Sequence, residues 1–313
     1  MTLNALAILP ISIGGRLTTS SIIDGLKQNN INVTVFDELY DELNDEIINA
    51  NYDFVVGYDF SPLEFKLKHS LNIKCLCYFS DDIQSKTSGP NWEILYKELD
   101  RDEVFTFFWD RKAISKHNFK NIYYLPHFVN FDLYTPNHKD EFDVMFAGRL
   151  DTDFRLNFFI KLMKNLPNLK FAWYAIKRHY DDALNRTNEK GLIKKAYQGF
   201  IDNEFDMAAA INKSKILFNM NSQGESSLNY RTFQAVACKR IMISDKREEL
   251  DLFNSNLPYW ENIDDLTNKI QHFINSQIAY IKTSEACWQI GKENHHSKEN
   301  VAFMLKKALI TNA

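Results

Sequence analysis

The chain has 313 residues, of which 45% are hydrophobic and 25% charged, and its formal net charge is −4. This length exceeds what one hydrophobic core usually supports, so we expect two domains with the composition of a soluble globular protein. The negative net charge gives no general attraction to nucleic acid. No apolar run approaches the ~20 residues that span a bilayer, and the uncharged start does not fit a secretory signal, so we predict a cytoplasmic protein.

A glycine pair follows the first predicted strand. Residues 5–11 are predicted to form this strand, Gly14 and Gly15 come next, and a helix then runs to residue 28. This order is typical of the start of a nucleotide-binding α/β domain, because glycine lets the backbone approach a ligand closely. The spacing does not match G-x-G-x-x-G, so a tight turn is the alternative reading.

A pair of aspartates follows a later predicted strand. An acidic helix is predicted over residues 38–50 and strands over 52–58 and 73–79, an alternation typical of a mainly parallel sheet. The strand at 73–79 is followed by Ser80, Asp81 and Asp82. A carboxylate at the carboxyl end of a central strand lies where a general base is expected. Alternatively, one aspartate caps the segment that follows.

The composition changes near residue 136. A strand is predicted at 104–109, and a short strand near 123 enters a turn at His127. The charged run at 137–141 is then followed by a fresh predicted strand at 142–147. We therefore predict that the first domain ends at residue 136, since domain boundaries fall in polar connections.

Two arginines lie around the start of the next predicted helix. Gly148 follows the strand at 142–147, and Arg149 and Arg155 come shortly after it. The guanidinium fork and a helix N-terminus both favour anions, so this turn suits a diphosphate. Alternatively, Arg155 forms a surface ion pair with Asp151, which would contribute only ~0.3–0.5 kcal/mol.

A second strand–helix turn is predicted between residues 215 and 244. A strand at 215–220, a polar loop at 221–226, a helix at 227–239 and a strand at 240–244 form one βαβ unit. Ser227, Arg231 and Gln234 fall at i, i+4 and i+7, so we expect them on one helix face above the loop. Arg231 at this N-terminus suits a phosphate, with a surface ion pair as the alternative.

The metal-binding residue types show no metal-site spacing. Cys75 and Cys77 form an isolated C-x-C, while Cys238, Cys287 and the eight histidines are scattered. Buried free thiols are the expected state of such cysteines. We therefore predict no metal site.

Four segments carry a resemblance to a known family. They are SDD after a strand, YYLPHFVNFDLYTP before the linker, FDVMFAG at the start of the second domain, and SLNYRTFQAVACKRIMISD. The chain resembles the GT-B class of nucleotide-sugar glycosyltransferases, and within it the CgeB-like (spore maturation protein B) family, with similarity to phage DNA β-glucosyltransferases. This implies an α/β fold with two Rossmann-like domains facing each other across a cleft. Residues 1–136 would be the acceptor-side domain, 137–285 the nucleotide-sugar domain, and 286–313 a helical segment packing back towards the first domain.

The resemblance also implies roles for individual residues. Asp81, with Asp82 beside it, would be the general base, and Arg155 and Arg231 would bind the diphosphate and stabilise the leaving group. Gln234 stands where these families usually have a glutamate that holds the ribose, and glutamine lacks its charge. The implied donor-binding residues are Gly14, Gly15, Gly148, Arg149, Arg155, Ser227, Asn229, Arg231 and Gln234, and His127 would lie on the acceptor side.

The implied activity is transfer of a hexosyl or pentosyl group from a nucleotide-diphosphate sugar, with a UDP-sugar favoured, to a hydroxyl of a glycan, a lipid-linked sugar or a protein. Retaining enzymes of this fold carry two glutamates eight apart, where this chain has Ser226 and Gln234, so an inverting reaction is favoured. No tightly bound cofactor is expected, and donor binding would not require a divalent metal.

Two alternatives stay open. The acceptor could be a hydroxymethylated base in DNA, which would need a basic face. Residues that could form such a face are Lys112, Lys116, Lys120, Arg178, Lys190, Lys194 and Lys195. Alternatively, the protein binds a sugar nucleotide without catalysis, a reading suggested by Gln234.

Overall fold

The computed structural model describes residues 2–80, 83, 92–221 and 224–310. Its helices and strands alternate along most of the chain. The strands are β1 (Asn4–Leu9), β2 (Asn32–Asp37), β3 (Phe54–Tyr58), β4 (Lys74–Phe79), β5 (Val104–Phe108), β6 (Ile122–Tyr124), β7 (Phe142–Ala147), β8 (Phe171–Tyr174), β9 (Tyr197–Gly199), β10 (Ser214–Phe218), β11 (Ile241–Asp245) and β12 (Tyr259–Trp260). The helices are α1 (Ile13–Gln28), α2 (Asp45–Asn49), α3 (Ser61–Lys68), α4 (Trp92–Glu98), α5 (Arg111–Ile114), α6 (Asp153–Asn165), α7 (Lys177–Asn185), α8 (Lys190–Ala196), α9 (Glu204–Asn212), α10 (Tyr230–Ala237), α11 (Ile263–Asn275), α12 (Gln277–Asn294) and α13 (Ser297–Lys307), with a 3-10 helix at Glu248–Phe253.

The first sheet has the strand order β2-β1-β3-β4-β5-β6, and its strand pairs are parallel. Every residue of β3 and β5 is buried. Strands covered on both faces are continuous apolar runs, which is why FVVGY and VFTFF form central strands. β4 lies between β3 and β5 and ends at Phe79.

The second sheet has the order β12-β11-β10-β7-β8-β9, again with parallel pairs. β7 lies next to β10, with Val144 paired with Ile216. Because the strands are parallel, the carboxyl ends of β7 and β10 lie at the same edge of the sheet. Each sheet carries its own core of buried apolar side chains. The two sheets confirm the predicted α/β class.

Two predicted helices differ from the observed ones. The acidic helix expected at 38–50 is reduced to α2, because the Asn44 side chain caps it by accepting from the Ile47 N–H at 3.0 Å. The helix expected from residue 227 begins at Tyr230, because the Asn229 side chain caps it through the Thr232 N–H. Ser227 therefore precedes the helix and does not share a face with Arg231.

The chain divides into two compact units. The first unit contains Met1–Asn130, Gln223–Leu228 and Asn294–Ala313, and the second contains Phe131–Ser222 and Asn229–Glu293. α13 thus returns to the first unit, where it packs against α1 through Gly25 and Val301. The loop at 224–228 also belongs to the first unit, although it lies between β10 and α10 in the sequence.

No helix among the described residues has both the length and the apolar character needed to cross a membrane.

Candidate functional site

Gly148 and Arg149 follow the carboxyl end of β7. The Gly148 N–H donates to the Tyr174 carbonyl at 3.1 Å, and its own carbonyl accepts from Trp173 Nε1 at 2.9 Å. The turn is therefore fixed by the neighbouring strand β8. The Arg149 side chain is 50% exposed, and its Nε lies 3.4 Å from Asp151 Oδ2. Arg149 thus presents a partly paired positive charge at this edge of the sheet.

Arg155 is buried beneath this turn. Its residue surface is 9% exposed, and Nη1 donates to the Arg149 carbonyl at 3.1 Å. Nη2 donates to the carbonyl of Met220, which follows β10. Nη1 also lies 3.6 Å from Asp151 Oδ1, so the ion pair that sequence spacing suggested exists, but the arginine is not a surface residue. Burial lowers the pKa of Arg155, and the nearby Asp151 carboxylate opposes this shift. Arg155 therefore ties together the chain segments that leave β7 and β10.

The N-terminus of α10 is held by two asparagines. Asn229 Oδ1 accepts from the Thr232 N–H at 3.2 Å and from Asn219 Nδ2 at 2.6 Å. Asn219 directly follows β10, and its carbonyl accepts from Trp260 Nε1 at 2.9 Å. These bonds fix the first turn of α10 against the carboxyl end of β10, where a helix N-terminus favours anions.

Arg231, Gln234 and Tyr134 form a chain of hydrogen-bonded polar side chains in the second unit, with Arg231 at its partly exposed end. Arg231 Nη1 donates to Gln234 Oε1, and Gln234 Nε2 donates to the Tyr134 hydroxyl. Gln234 and Tyr134 are both fully buried. The prediction that Gln234 looks out over the loop is wrong, because its carboxamide points inward and both of its polar atoms are bonded.

Arg231 retains unused hydrogen-bonding capacity. Its Nε is buried, and it has no hydrogen-bond partner among the residues that the structure describes. Burial lowers the pKa of the Arg231 guanidinium, while the nearby Tyr134, Tyr230 and Glu204 oppose the shift. Glu204 Oε1 accepts from the Tyr230 hydroxyl at 2.7 Å. Because a buried N–H without a partner is costly, Arg231 is suited to an additional acceptor.

Asp110 is an ordered, buried carboxylate that the sequence analysis did not identify. It follows β5, and its Oδ1 caps α5 by accepting from the Lys112 N–H at 2.8 Å. Its Oδ2 accepts from the backbone N–H groups of Glu225 and Ser226 at 2.7 and 3.0 Å. Burial alone would raise the pKa of Asp110, but these bonds and that of the Ser226 hydroxyl hold it at about 2. An aspartate followed by Arg-Lys after an apolar strand is a helix-cap signal that could have identified the first of these contacts.

Ser227 belongs to this loop in the first unit. It is 1% exposed, and its N–H donates to Asp110 Oδ2 at 3.3 Å. Gly224 has a φ of +75°, and a Cβ there would lie 2.8 Å from Asp110 Oδ2 and 2.2 Å from the Ser227 hydroxyl. Only glycine fits this position without displacing the carboxylate or the serine.

The glycine pair lies within the first turn of α1, so the alternative of a tight turn is wrong. A Cβ on Gly14 would meet no described atom within 4 Å, whereas one on Gly15 would lie 2.7 Å from Pro10 Cγ and 2.5 Å from Tyr58 Cδ1. Gly15 is therefore required by packing, while Gly14 has open space around it.

His127 is 4% exposed in the first unit. Its Nδ1 lies 3.2 Å from the Tyr78 hydroxyl, and burial lowers the pKa of the imidazole to about 3. The ring is therefore neutral near pH 7. A neutral imidazole can accept or donate one hydrogen bond at each nitrogen, and its role beside an acceptor stays a prediction.

The predicted base Asp81 and its neighbour Asp82 lie outside the described residues. Among the described residues no group of three or more His, Cys, Asp or Glu side chains could hold a metal ion. The four cysteines are buried and free. Independence of a metal stays a prediction.

A family model described as "Glycosyl transferase-like" matches residues 153–306. This segment includes Arg155, α10 and the first-unit loop at 224–228. A sequence comparison with curated proteins gave no significant match.

Solved structures match the chain over nearly its whole length. An alpha-glucosyltransferase in complex with UDP and a 13-mer DNA containing a HMU base matches with a TM-score of 0.72 at 12% identity, covering 99% of this chain and 100% of that one. Sucrose-phosphate synthase from Thermosynechococcus elongatus matches with a TM-score of 0.70 at 10% identity, covering 97% and 98%. A T4 phage BGT mutant in complex with UDP-glucose matches with a TM-score of 0.62 at 14% identity, covering 99% and 100%.

The chain has the GT-B fold. The GT-B fold that the resemblance implied is thereby confirmed, whereas membership of the CgeB-like family stays a prediction. In the second unit, the chain segments that follow β7 and β10 carry five of the predicted donor-binding residues to the carboxyl ends of these strands. They are Gly148, Arg149, Arg155, Asn229 and Arg231. Ser227 and the glycine pair belong to the first unit instead.

Proposed function

We propose that the protein is a glycosyltransferase that transfers a sugar from a nucleotide-diphosphate sugar to a hydroxyl acceptor with inversion at the anomeric carbon. The observation that carries this proposal is the match of residues 153–306 to the glycosyl transferase-like model. The GT-B fold supports it, and the UDP and UDP-glucose named with the similar structures favour a UDP-sugar as the donor.

The donor diphosphate is proposed to bind at the N-terminus of α10. Arg231 supplies an Nε–H without a partner among the described residues, and the helix end supplies backbone N–H groups and a partial positive charge. Arg149 adds a partly exposed guanidinium beyond β7. Positive groups fixed at this place stabilise the charge that develops on the departing nucleoside diphosphate.

Arg155 is proposed to act mainly by positioning this site. Its guanidinium donates to the carbonyls of Arg149 and Met220, which holds the two ligand-facing segments at a fixed spacing. A guanidinium group has five N–H donors, and only some of those of Arg155 are used by these two carbonyls. The remaining donors would make any direct contact with the diphosphate.

Gln234 is likewise proposed to position Arg231 and not to hold the ribose. Its amide oxygen fixes the guanidinium, and its amide nitrogen is fixed by Tyr134. A neutral carboxamide suits this chain of bonds because it both accepts and donates. The departure from the glutamate usual at this position is therefore compatible with catalysis.

Asp81 is proposed as the base that removes the acceptor proton as the hydroxyl attacks the anomeric carbon. A retaining reaction is disfavoured because Glu225, which lies near the position of one glutamate of retaining enzymes, pairs with Lys116. The anomeric outcome is measured by NMR of the product from an α-linked UDP-sugar, and a β-linked product is expected. An α-linked product would refute inversion.

The first experiment is a thermal-shift screen with nucleoside diphosphates and their sugars, followed by detection of released nucleoside diphosphate in the presence of hydroxyl acceptors. A ligand at 100 times its Kd stabilises the folded state by about 2.7 kcal/mol, which gives a measurable shift. Stabilisation without hydrolysis or transfer would favour a binding protein without catalysis. The absence of a shift with every nucleotide would refute the donor site. Repeating the assay with EDTA tests whether a metal is needed.

DNA is the second candidate acceptor, favoured by the DNA-bound alpha-glucosyltransferase among the similar structures. Two of the lysines that could form a basic face are already paired, Lys116 with Glu225 and Lys120 with Asp102 at 3.0 Å. A gel-shift assay at low salt with hydroxymethylated and unmodified duplexes decides the matter. Binding and sugar transfer to the modified duplex alone would establish DNA as the acceptor.

A further inference from the structure

A cavity of about 480 Å³ lies in the second unit at the amino ends of β7 and β8. Phe142 and Phe171, the first residues of these strands, form part of its wall. Because β7 and β8 are parallel, this is the opposite edge of the sheet from Gly148 and Arg149. The cavity is therefore separate from the proposed donor site.

The walls of the cavity are largely apolar. Met163 and Leu166 line it from α6 and the residue that follows, and Leu192 and Ala196 line it from α8. Ligand sites in proteins commonly have volumes of roughly 300–1,000 Å³ and mostly apolar walls, and this cavity falls in that range.

The rim of the cavity is held by one hydrogen bond within its turn and one to the neighbouring strand β7. The Leu169 N–H donates to the Leu166 carbonyl at 3.1 Å, and the Lys170 N–H donates to Asp143 Oδ2 at 2.9 Å. Pro167 restricts the backbone between them. A rim fixed in this way requires little ordering when a ligand binds.

The ionisable side chains in the wall are all lysines: Lys164, Lys170 and Lys195. Lys164 lies 2.5 Å from Glu189. Lys170 and Lys195 are exposed, and neither side chain has an ion pair within the described part of the chain. An apolar interior with two unpaired ammonium groups at its edge is complementary to an apolar molecule with an anionic end.

We propose that this cavity binds a single unbranched acyl chain ending in a carboxylate, as in a fatty-acid anion. The acyl chain occupies the apolar space, and the carboxylate interacts with Lys170 and Lys195. A second copy of the chain fits this face less well, because a two-fold contact would place two faces with lysines of the same charge against each other.

The test is calorimetric titration of the full chain with dodecanoate, dodecanol and dodecyltrimethylammonium, each below its aggregation concentration. Dodecanoate is expected to bind saturably at one site per chain, and at least 10-fold more tightly than the neutral and cationic molecules. Equal affinity for dodecanol, or no saturable binding, would overturn the proposal. If the sedimentation coefficient rises with protein concentration in the absence of any ligand, the face is a self-association surface. That result would also overturn the proposal.

Lys195→Glu tests the position of the site, with Lys194→Glu as its control. Both lysines are exposed on α8, but only Lys195 lines the cavity. Lys195→Glu is expected to lower dodecanoate affinity about 10-fold while Lys194→Glu leaves it unchanged, and an equal loss in both would refute the proposed position. Nucleotide-induced thermal shifts should equal those of the wild type in both variants. The dodecanoate titration thus tests the cavity proposal, and the thermal shifts test the donor-site proposal separately.

Discussion

Asp110 Oδ1 accepts a hydrogen bond of 2.6 Å from the Ser226 hydroxyl, although the two residues are 116 positions apart in the sequence. Asp110 is 1% exposed, and its other oxygen accepts from backbone N–H groups of the same loop. The buried carboxylate is therefore matched by donors from its own helix α5 and from the loop at 224–227. A fully bonded carboxylate of this kind anchors a loop and is poorly suited to act as a base.

Asp110→Asn should destabilise the protein. The new amide group places N–H donors opposite the backbone donors of the loop, and an unsatisfied buried group costs about 1–3 kcal/mol. Urea unfolding at pH 7 measures the loss. Asp102→Asn is the control, since the Asp102 side chain is 86% exposed. Equal stability of the two variants would contradict the anchoring role.

The pH dependence of unfolding gives a second measurement on the same variant. The folded pKa of Asp110, about 2, is below the ~3.9 of an unfolded aspartate, so the unfolded state takes up the proton first. Its stabilisation is present above about pH 4 and is lost as pH falls through 2. The difference between the wild type and Asp110→Asn should therefore shrink below pH 4.

His127 should make the protein less stable as pH falls from 7 to 4. The folded pKa of His127, about 3, lies below the ~6.5 of an unfolded histidine, so in this window the unfolded state binds the extra proton. The expected slope is on the order of 1 kcal/mol per pH unit. His127→Gln should remove this slope, while His272→Gln, on the surface helix α11, should not. An unchanged slope in His127→Gln would show that this ring titrates normally.

Asp81→Asn should abolish sugar transfer and leave donor affinity nearly unchanged, because the amide cannot accept the acceptor proton. Asp102→Asn, at an aspartate whose side chain is 86% exposed, is the control and should retain activity. The measurements are initial rates of nucleoside diphosphate release and donor affinity from thermal shifts. Normal turnover in Asp81→Asn would remove this residue as the base.

Tyr134→Phe should weaken donor binding from a distance. Removing the hydroxyl frees Gln234, which in turn holds Arg231 less firmly, so we expect the KM for the donor to rise about 3- to 10-fold with a smaller change in kcat. The lost hydrogen bond should also lower stability by about 0.5–1.5 kcal/mol. Tyr123→Phe is the control, since the Tyr123 hydroxyl makes no hydrogen bond to the described residues. A change in stability with an unaltered KM would limit Tyr134 to a structural role.

Gly25→Ala should be far more damaging than Gly14→Ala. A Cβ at Gly25 would lie 2.4 Å from Val301 Cγ2 and 2.6 Å from the Ser297 carbonyl oxygen, which forces α1 and α13 apart and costs about 1–3 kcal/mol. A Cβ at Gly14 meets no described atom within 4 Å, and alanine is favoured over glycine in a helix by about 0.5–1 kcal/mol. Thermal unfolding of both variants compares them. Reduced nucleotide affinity in Gly14→Ala would support its predicted donor contact.

The central strands β3 and β5 were predictable because parallel strands covered on both faces are continuous apolar runs, as in FVVGY of β3. The capping of α10 by Asn229 and the inward orientation of Gln234 were not predicted. Helix periodicity fixes which residues share a face, but the partner Tyr134 lies 100 positions away and decides which way that face points. Asp110 was missed for the same reason, since its decisive partners come from a loop distant in sequence.

The return of α13 to the first unit has a consequence for the order in which the protein can fold during synthesis. Val301, Met304 and Leu305 belong to the core beneath β1–β6, and Val129 forms a parallel β-bridge with His296. A ribosome must therefore make the whole second unit before it supplies these side chains. The second unit can fold as soon as residue 293 has left the ribosome. The first unit is synthesised earlier, but part of its apolar surface stays exposed until residues 294–310 follow.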